Sequence, residues 1–339
     1  MPKFPFQFHP IREGLYSPGE LAAGFDPERP SSYTETTDFL IYRQYVAAGK
    51  SATSDYFMAM MQALHDNTIT LAAHDYFASS SAKAVGIMGG HDLDRDAPAY
   101  QKVARLAWAL AREGFTLVSG GGPGAMEATH LGALLQHAGE WELEQALAEL
   151  AARPKLPDNL KNVIGPDGAI DPALVEQAHA WMLPAWRIMQ RVEVAGDSVA
   201  IPTWLYGHEP TSPLATCIAK YFQNSIREDG LLAVATHGVI YAEGRAGTLQ
   251  EIFQDANQNY YRLFGNFSPM TFYGADYWSR QIPAIPVLQA LFAPADFERY
   301  VLVTDDPERI VDFLVRQREP ETPSQRLGRY IQQKEAGRG

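Results

Sequence analysis

The sequence predicts an α/β protein: a Rossmann-like, doubly wound, mainly parallel sheet carrying extra N-terminal helices and a helical insertion. Three observations predict it. Short apolar runs end in glycine-rich turns, as in AVGIMGG (Ala84 to Gly90) and FTLVSGGGPG (Phe115 to Gly124). Amphipathic helical stretches stand between and after them, among them AYQKVARLAWALAREG (Ala99 to Gly114). Further strand-like runs recur at the spacing that parallel crossovers need, as far as YVLVTD (Tyr300 to Asp305).

The elements follow in order. The first 30 residues are rich in Pro and Gly and read as an irregular arm lying on the rest of the chain. From Tyr33 to Phe77 the pattern gives two helices, the second starting at Ser54 or Asp55, both good N-cap types. The first strand and its helix come next, with Gly114 as the helix stop, and a second strand, glycine loop and helix repeat the arrangement. Residues 138 to 194 interrupt the sheet. Two helical stretches, EWELEQALAELAARP and ALVEQAHAWMLPAWRIMQRV, flank the loop-like PDNLKNVIGPDGAIDP, and the whole reads as a lid or packing layer rather than a separate domain. The sheet resumes with DSVAIP, HGVIYA, MTFYG and YVLVTD, and DPERIVDFLVRQ opens a last helix on Asp and Pro. The implied division is an arm with helices over 1 to 80, a nucleotide-binding domain over 81 to 318, and a polar tail over 319 to 339.

Composition narrows the function. The 339 residues are 46% hydrophobic, enough for a large core, and the net charge of −12 comes with scattered basic residues. That pattern argues against nucleic acid or an anionic membrane as partner, while leaving room for a small anion at a helix N-terminus. One cysteine, Cys217, excludes an intrachain disulfide and a cysteine-based zinc site, and fits a reducing, cytoplasmic setting. No run approaches about 18 apolar residues and the N-terminus shows no secretory pattern, so a soluble protein is expected. No metal is expected either. The histidines show no close ligand spacing, and His91 with Asp92 and Asp94 reads as a polar turn.

Two glycine loops carry the chemistry. In SGGGPGAMEA (Ser119 to Ala128) the glycines sit between a strand and a helix whose free N–H groups face the loop, a setting for an anion and also for a plain tight turn. AEGRAGTLQE (Ala242 to Glu251) has the same setting. Spacing alone favours a capping box between Thr248 and Glu251. The competing reading puts phosphate on Thr248 and the Gly247 amide, with Glu251 facing a bound sugar.

At these residues the sequence resembles the LOG ("lonely guy") phosphoribohydrolases, often mislabelled lysine decarboxylases, and especially the bacterial nucleotide 5′-monophosphate nucleosidases of that superfamily. The first family loop matches Gly120, Gly121, Gly122, Pro123, Gly124, Ala125, Met126 and Glu127; the second, PGGxGTxxE, matches Glu243 to Glu251. HEPTSPL (His208 to Leu214) resembles the nucleosidases' linking segment. The resemblance implies hydrolysis of a nucleoside 5′-monophosphate to free base and ribose 5-phosphate, with no cofactor, in a homodimer or higher homo-oligomer. It places the catalytic carboxylate on Glu251 and a basic partner on Arg227, for which a solvated surface arginine is the equal alternative. It also implies substrate contacts at Gly121, Gly122, Gly124, Gly244, Gly247 and Thr248, at Gly89 and Gly90, for which an ordinary strand-end turn is the competing reading, and at Met126 and Glu127, which either border the ribose or simply begin the helix.

Two departures stand out. Glu243 replaces the motif's proline and Arg245 its second glycine. Arg245 is expected either to bind phosphate as a bidentate donor or, with Glu243, to fill the phosphate pocket, and a side chain at a position requiring positive φ would cost about 1 kcal/mol. The alternative function is therefore a nucleotide-binding or carrier protein that hydrolyses nothing. A pyridoxal-dependent decarboxylase is the third reading, and neither loop contains a lysine.

Overall fold

The computed structural model describes residues 6–80, 82–207, 210, 212–263 and 267–317. The expected polar tail and His208, Glu209 and Thr211 of the linking segment lie outside the described residues. The N-terminal arm includes the short helix α1 (Pro18–Leu21), and α2 (Thr37–Ala47) and α3 (Tyr56–Ser79) follow. Asp55 caps α3, its Oδ1 accepting the N–H groups of Phe57 and Met58.

The sheet begins with β1 (Ala84–Met88), α4 (Pro98–Arg112), β2 (Thr116–Ser119) and α5 (Ala125–Leu134). Helices α6 (Glu140–Ala151) and α7 (Pro172–Arg191) form the insertion, and β3 (Ser198–Ala200) resumes the sheet. Then come β4 (Cys217–Ile218), α8 (Asn224–Val234), β5 (Val239–Tyr241), α9 (Ala246–Tyr261) and β6 (Met270–Tyr273). The chain closes with α10 (Ala284–Leu291), α11 (Pro294–Tyr300), β7 (Val301–Thr304) and α12 (Pro307–Arg316).

All seven strands are parallel, in the order β4-β3-β2-β1-β5-β6-β7. The chain winds outward from β1 through β4, then returns to the other side of β1 at β5. That reversal opens a crevice at the carboxyl ends of β1 and β5, where ligands of such sheets bind. Alternate side chains of β1 feed two cores: Val85 and Ile87 pack with α4, α5 and α12, while Ala84 and Met88 pack with α8, α9 and the N-terminal helices.

The arm lies on the sheet edge, as its composition suggests. Tyr16 forms an antiparallel bridge to Ile218, so the exposed side of β4 is paired. Buried polar contacts tie these additions to the sheet. Asp38 of α2 pairs with Lys220 at 2.8 Å and accepts the Trp204 indole N–H at 2.8 Å. Asp66 of α3 accepts the N–H groups of Phe222 and Gln223 at 3.0 and 2.8 Å, which fixes the start of α8.

Helices α4 and α5 cross in close contact at Gly132, where a Cβ would collide with the Ala104 carbonyl and the backbone of Trp108. Both obstacles are main chain and cannot rotate away. Replacing Gly132 by Ala is expected to destabilise the protein by about 1 to 3 kcal/mol through overpacking, read as a lower urea midpoint at unchanged m-value.

Candidate functional site

Three loops meet at the crevice and are joined by main-chain bonds. The Gly90 N–H donates to the Glu243 carbonyl at 3.0 Å, and the Ala125 N–H donates to the Gly90 carbonyl at 3.0 Å. The loop after β1 is thus held between the two glycine loops. Gly124 makes this approach possible: its φ is +70°, and a Cβ there would strike the Gly90 carbonyl and the His91 main chain.

Around this junction lies a cleft of about 820 Å³. Gly89, Gly90, Gly124, Met126, Arg245, Gly247, Thr248, Arg227 and Glu251 all line it. The N-terminus of α5 opens toward the cleft beside Met126, and that of α9 beside Ala246 and Gly247, so two helix dipoles put partial positive charge on its wall.

Arg227 and Glu251 face each other on this wall, from α8 and α9, with Nη1 and Oε1 3.9 Å apart. The Glu251 side chain is 15% exposed, reachable from the cleft and otherwise enclosed. Burial raises its carboxyl pKa to about 7, against the opposing pull of the Arg227 guanidinium. Asn224, one turn before Arg227, orients that guanidinium by accepting from Nε at 3.0 Å and Nη2 at 2.6 Å. Asn224 in turn donates to the Tyr206 hydroxyl at 2.6 Å. The arginine read from sequence as equally suited to the surface is therefore an enclosed part of the cleft wall.

Other expectations are corrected. The capping box favoured by spacing does not form. Helix α9 begins at Ala246 with Arg245 in the N-cap position and no side-chain cap, which leaves Thr248 already inside the first turn. The Thr248 side chain packs on the α-carbon of Gly244 instead. Arg245 has φ −113°, so this position does not make the positive-φ demand that would favour a glycine. That side chain is 85% exposed at the mouth, 3.8 Å from Asp92, and does not fill the pocket. Glu243 turns the other way, toward Gly274, and meets the loop junction only through its carbonyl.

Glu127 stands apart from the cleft. It is buried under Arg95, which donates from Nε and Nη2 at 2.8 and 2.6 Å, and under the Tyr100 hydroxyl at 2.9 Å. The same guanidinium donates to the Trp181 carbonyl at 2.7 Å and stacks on its indole at 3.7 Å, fastening the insertion to α5. Gly121, Gly122 and Gly244 are buried behind the wall. At Gly121, with φ +71°, a Cβ would press into Ala200 and Pro202.

Sequence reasoning missed the third side of the cleft. Lys155, Asp158, Asn159 and Lys161, from the loop between α6 and α7, cover it together with Tyr206. The insertion therefore contributes wall as well as packing. Among the described residues no cluster of three or more His, Cys, Asp or Glu is placed to hold a metal ion, and no helix is long and apolar enough to cross a membrane.

No protein-family model matches the sequence, and no curated protein does. Solved structures resemble the chain weakly. The molybdenum cofactor binding protein of Rippkaea orientalis is 16% identical with a TM-score of 0.38, covering 69% of this chain and 95% of its own. Two structures of the molybdenum cofactor carrier protein of Chlamydomonas reinhardtii are each 14% identical, with TM-scores of 0.39 and 0.40, covering 70% of this chain and 98% and 97% of theirs. Values this low bear on neither ligand nor chemistry. The resemblance to phosphoribohydrolases rests on the two loops.

The environment of Glu251 has a measurable sign. Its native pKa, about 7 against 4.5, lies above the unfolded value, so the native state keeps a proton that the unfolded chain releases across that window. Stability from this group is whole below about pH 4.5 and falls as pH rises to about 7. Asp255, raised to about 7, acts in the same sense, while His130, lowered to about 3, acts in the opposite one. Comparison with Glu251→Gln isolates the group. The variant is expected to gain stability relative to wild type between pH 4.5 and 7, by on the order of 1 to 3 kcal/mol, in urea titrations at successive pH values.

Proposed function

We propose that the cleft binds a nucleoside 5′-monophosphate and hydrolyses its N-glycosidic bond. The observation that supports this most directly is the Arg227 and Glu251 pair, set in one wall with the glycine loops and two helix N-termini. Backbone N–H groups at the starts of α5 and α9 suit a dianionic phosphate. Glu251 suits the sugar. A carboxyl with a pKa of about 7 is partly ionised at neutral pH, where its charge can stabilise the cation that develops at C1′ and its oxygen can take a proton from water.

In this reaction the C1′ to base nitrogen bond breaks and a C1′ to oxygen bond forms from water. One water proton passes through Glu251 toward the departing base, and the remaining O–H stays on ribose 5-phosphate. Arg227 acts by position: its charge beside Oε1 favours the ionised carboxylate that burial alone would suppress.

A second reading is a nucleotide-binding or carrier protein with no turnover. Glu251 itself favours it, because the protonated fraction of a carboxyl with a pKa of about 7 donates a hydrogen bond to a ligand instead of stabilising a cation.

Incubation with AMP, GMP, CMP, UMP and IMP, with free base followed by chromatography, separates the readings. Hydrolysis predicts base from at least one monophosphate, and Glu251→Gln is expected to slow it by about 100- to 10,000-fold while the same nucleotide still raises the melting temperature of the variant. A raised melting temperature with no base from any nucleotide establishes the carrier reading. Neither base nor thermal shift removes both.

A further inference from the structure

Helix α3 presents apolar side chains to both its faces. Its inner face, Met58, Gln62, His65, Ile69 and Ala72, is buried against the arm and the sheet layer. Its outer face carries Phe57, Met60, Leu64 and Leu71 at 54, 60, 36 and 61% exposure, with Tyr56 beside Phe57. Together with exposed Asn67 and His74, these residues sit at 57, 60, 64, 67, 71 and 74. The spacing alternates three and four throughout, which is the a/d seam of a coiled coil.

The surroundings of this seam are unlike a solvated helix face. All 24 residues of α3 contain no Lys, Arg or Glu, and Asp75 is the one acid on its outer side. Surface helices ordinarily set charge there, whereas the centres of interfaces are depleted of it. The exposed apolar side chains leave on the order of 500 Å² uncovered, so two copies pairing through them would bury on the order of 1,000 Å², the size at which specific interfaces begin.

We infer that α3 is a self-association surface, occupied by α3 of a second copy of this chain in an antiparallel pair. The seam repeats in either direction, so an antiparallel partner meets it in register about a twofold axis between Leu64 and Asn67. Met60 then packs on Leu71 of the other copy, Phe57 on His74, and Leu64 on Asn67. The two helix dipoles oppose each other, which favours this orientation over a parallel one. The interface is isologous and closes at two copies.

Sedimentation equilibrium of the full chain between about 1 and 100 μM tests the inference, with self-association expected to weaken by about 100-fold or more in Leu64→Glu or Leu71→Glu. Far-UV circular dichroism of each variant should match wild type, since both side chains are exposed; if either Glu variant unfolds, Leu71→Gln is read instead, with about a 10-fold weakening expected. Orientation is read by oxidative cross-linking in a Cys217→Ser background. Met60→Cys and Leu71→Cys chains should cross-link when mixed and only weakly when separate. A chain monomeric across the range overturns the inference, as does a dimer untouched by the folded variants. Cross-links of like with like overturn the antiparallel arrangement.

Discussion

Two hydrogen bonds at Gly90 organise the cleft. Its N–H is held by the loop after β5 and its carbonyl by the first turn of α5, so the ends of three central strands are fixed to each other by main chain alone. Both bonds run between main-chain groups, and the close approach they need falls on Gly124, with its positive φ. With the loops pinned, the helices that follow must start at the same crevice, and their N–H groups converge whatever sequence lies further along them. The doubly wound topology supplies the crevice, and the junction supplies its geometry.

On that backbone the electrostatics are set by distance from water. Glu251 gains proton affinity because α8 and α9 enclose it, and Arg227 returns part of what enclosure removes. Arg227 is itself steadied by Asn224, and the start of α8 by Asp66 on α3. A helix belonging to the N-terminal addition thus takes part in placing a charge in the cleft. The arm and helices are structural members of the site, although none of their described residues lines the cleft.

Much of the fold was legible in the sequence because its signals are local. Apolar runs closing on glycine, Asp55 before α3 and Asp306 with Pro307 before α12 each act within a few residues. β4, only Cys217 and Ile218, was not legible: two residues carry no period, and the strand exists because β3 and Tyr16 pair with it. The site divided in the same way. Glycine loops announce themselves, but the partner of Glu127 is Arg95, 32 residues earlier, and nothing near Glu127 predicts it. Thr248 and Glu251 have the spacing of a capping box, and the misreading arose because α9 starts earlier than that motif assumes. Lys155 and Lys161 reach the cleft only through the path of a loop that sequence pattern leaves undirected.

Arg245 keeps a negative φ, with its side chain outward at the rim of the cleft. A glycine there would serve access, since no positive φ requires one. The consequence is evolutionary: substitutions at this residue exchange one charge or bulk for another at the mouth of the cleft, on a side chain that the core does not enclose.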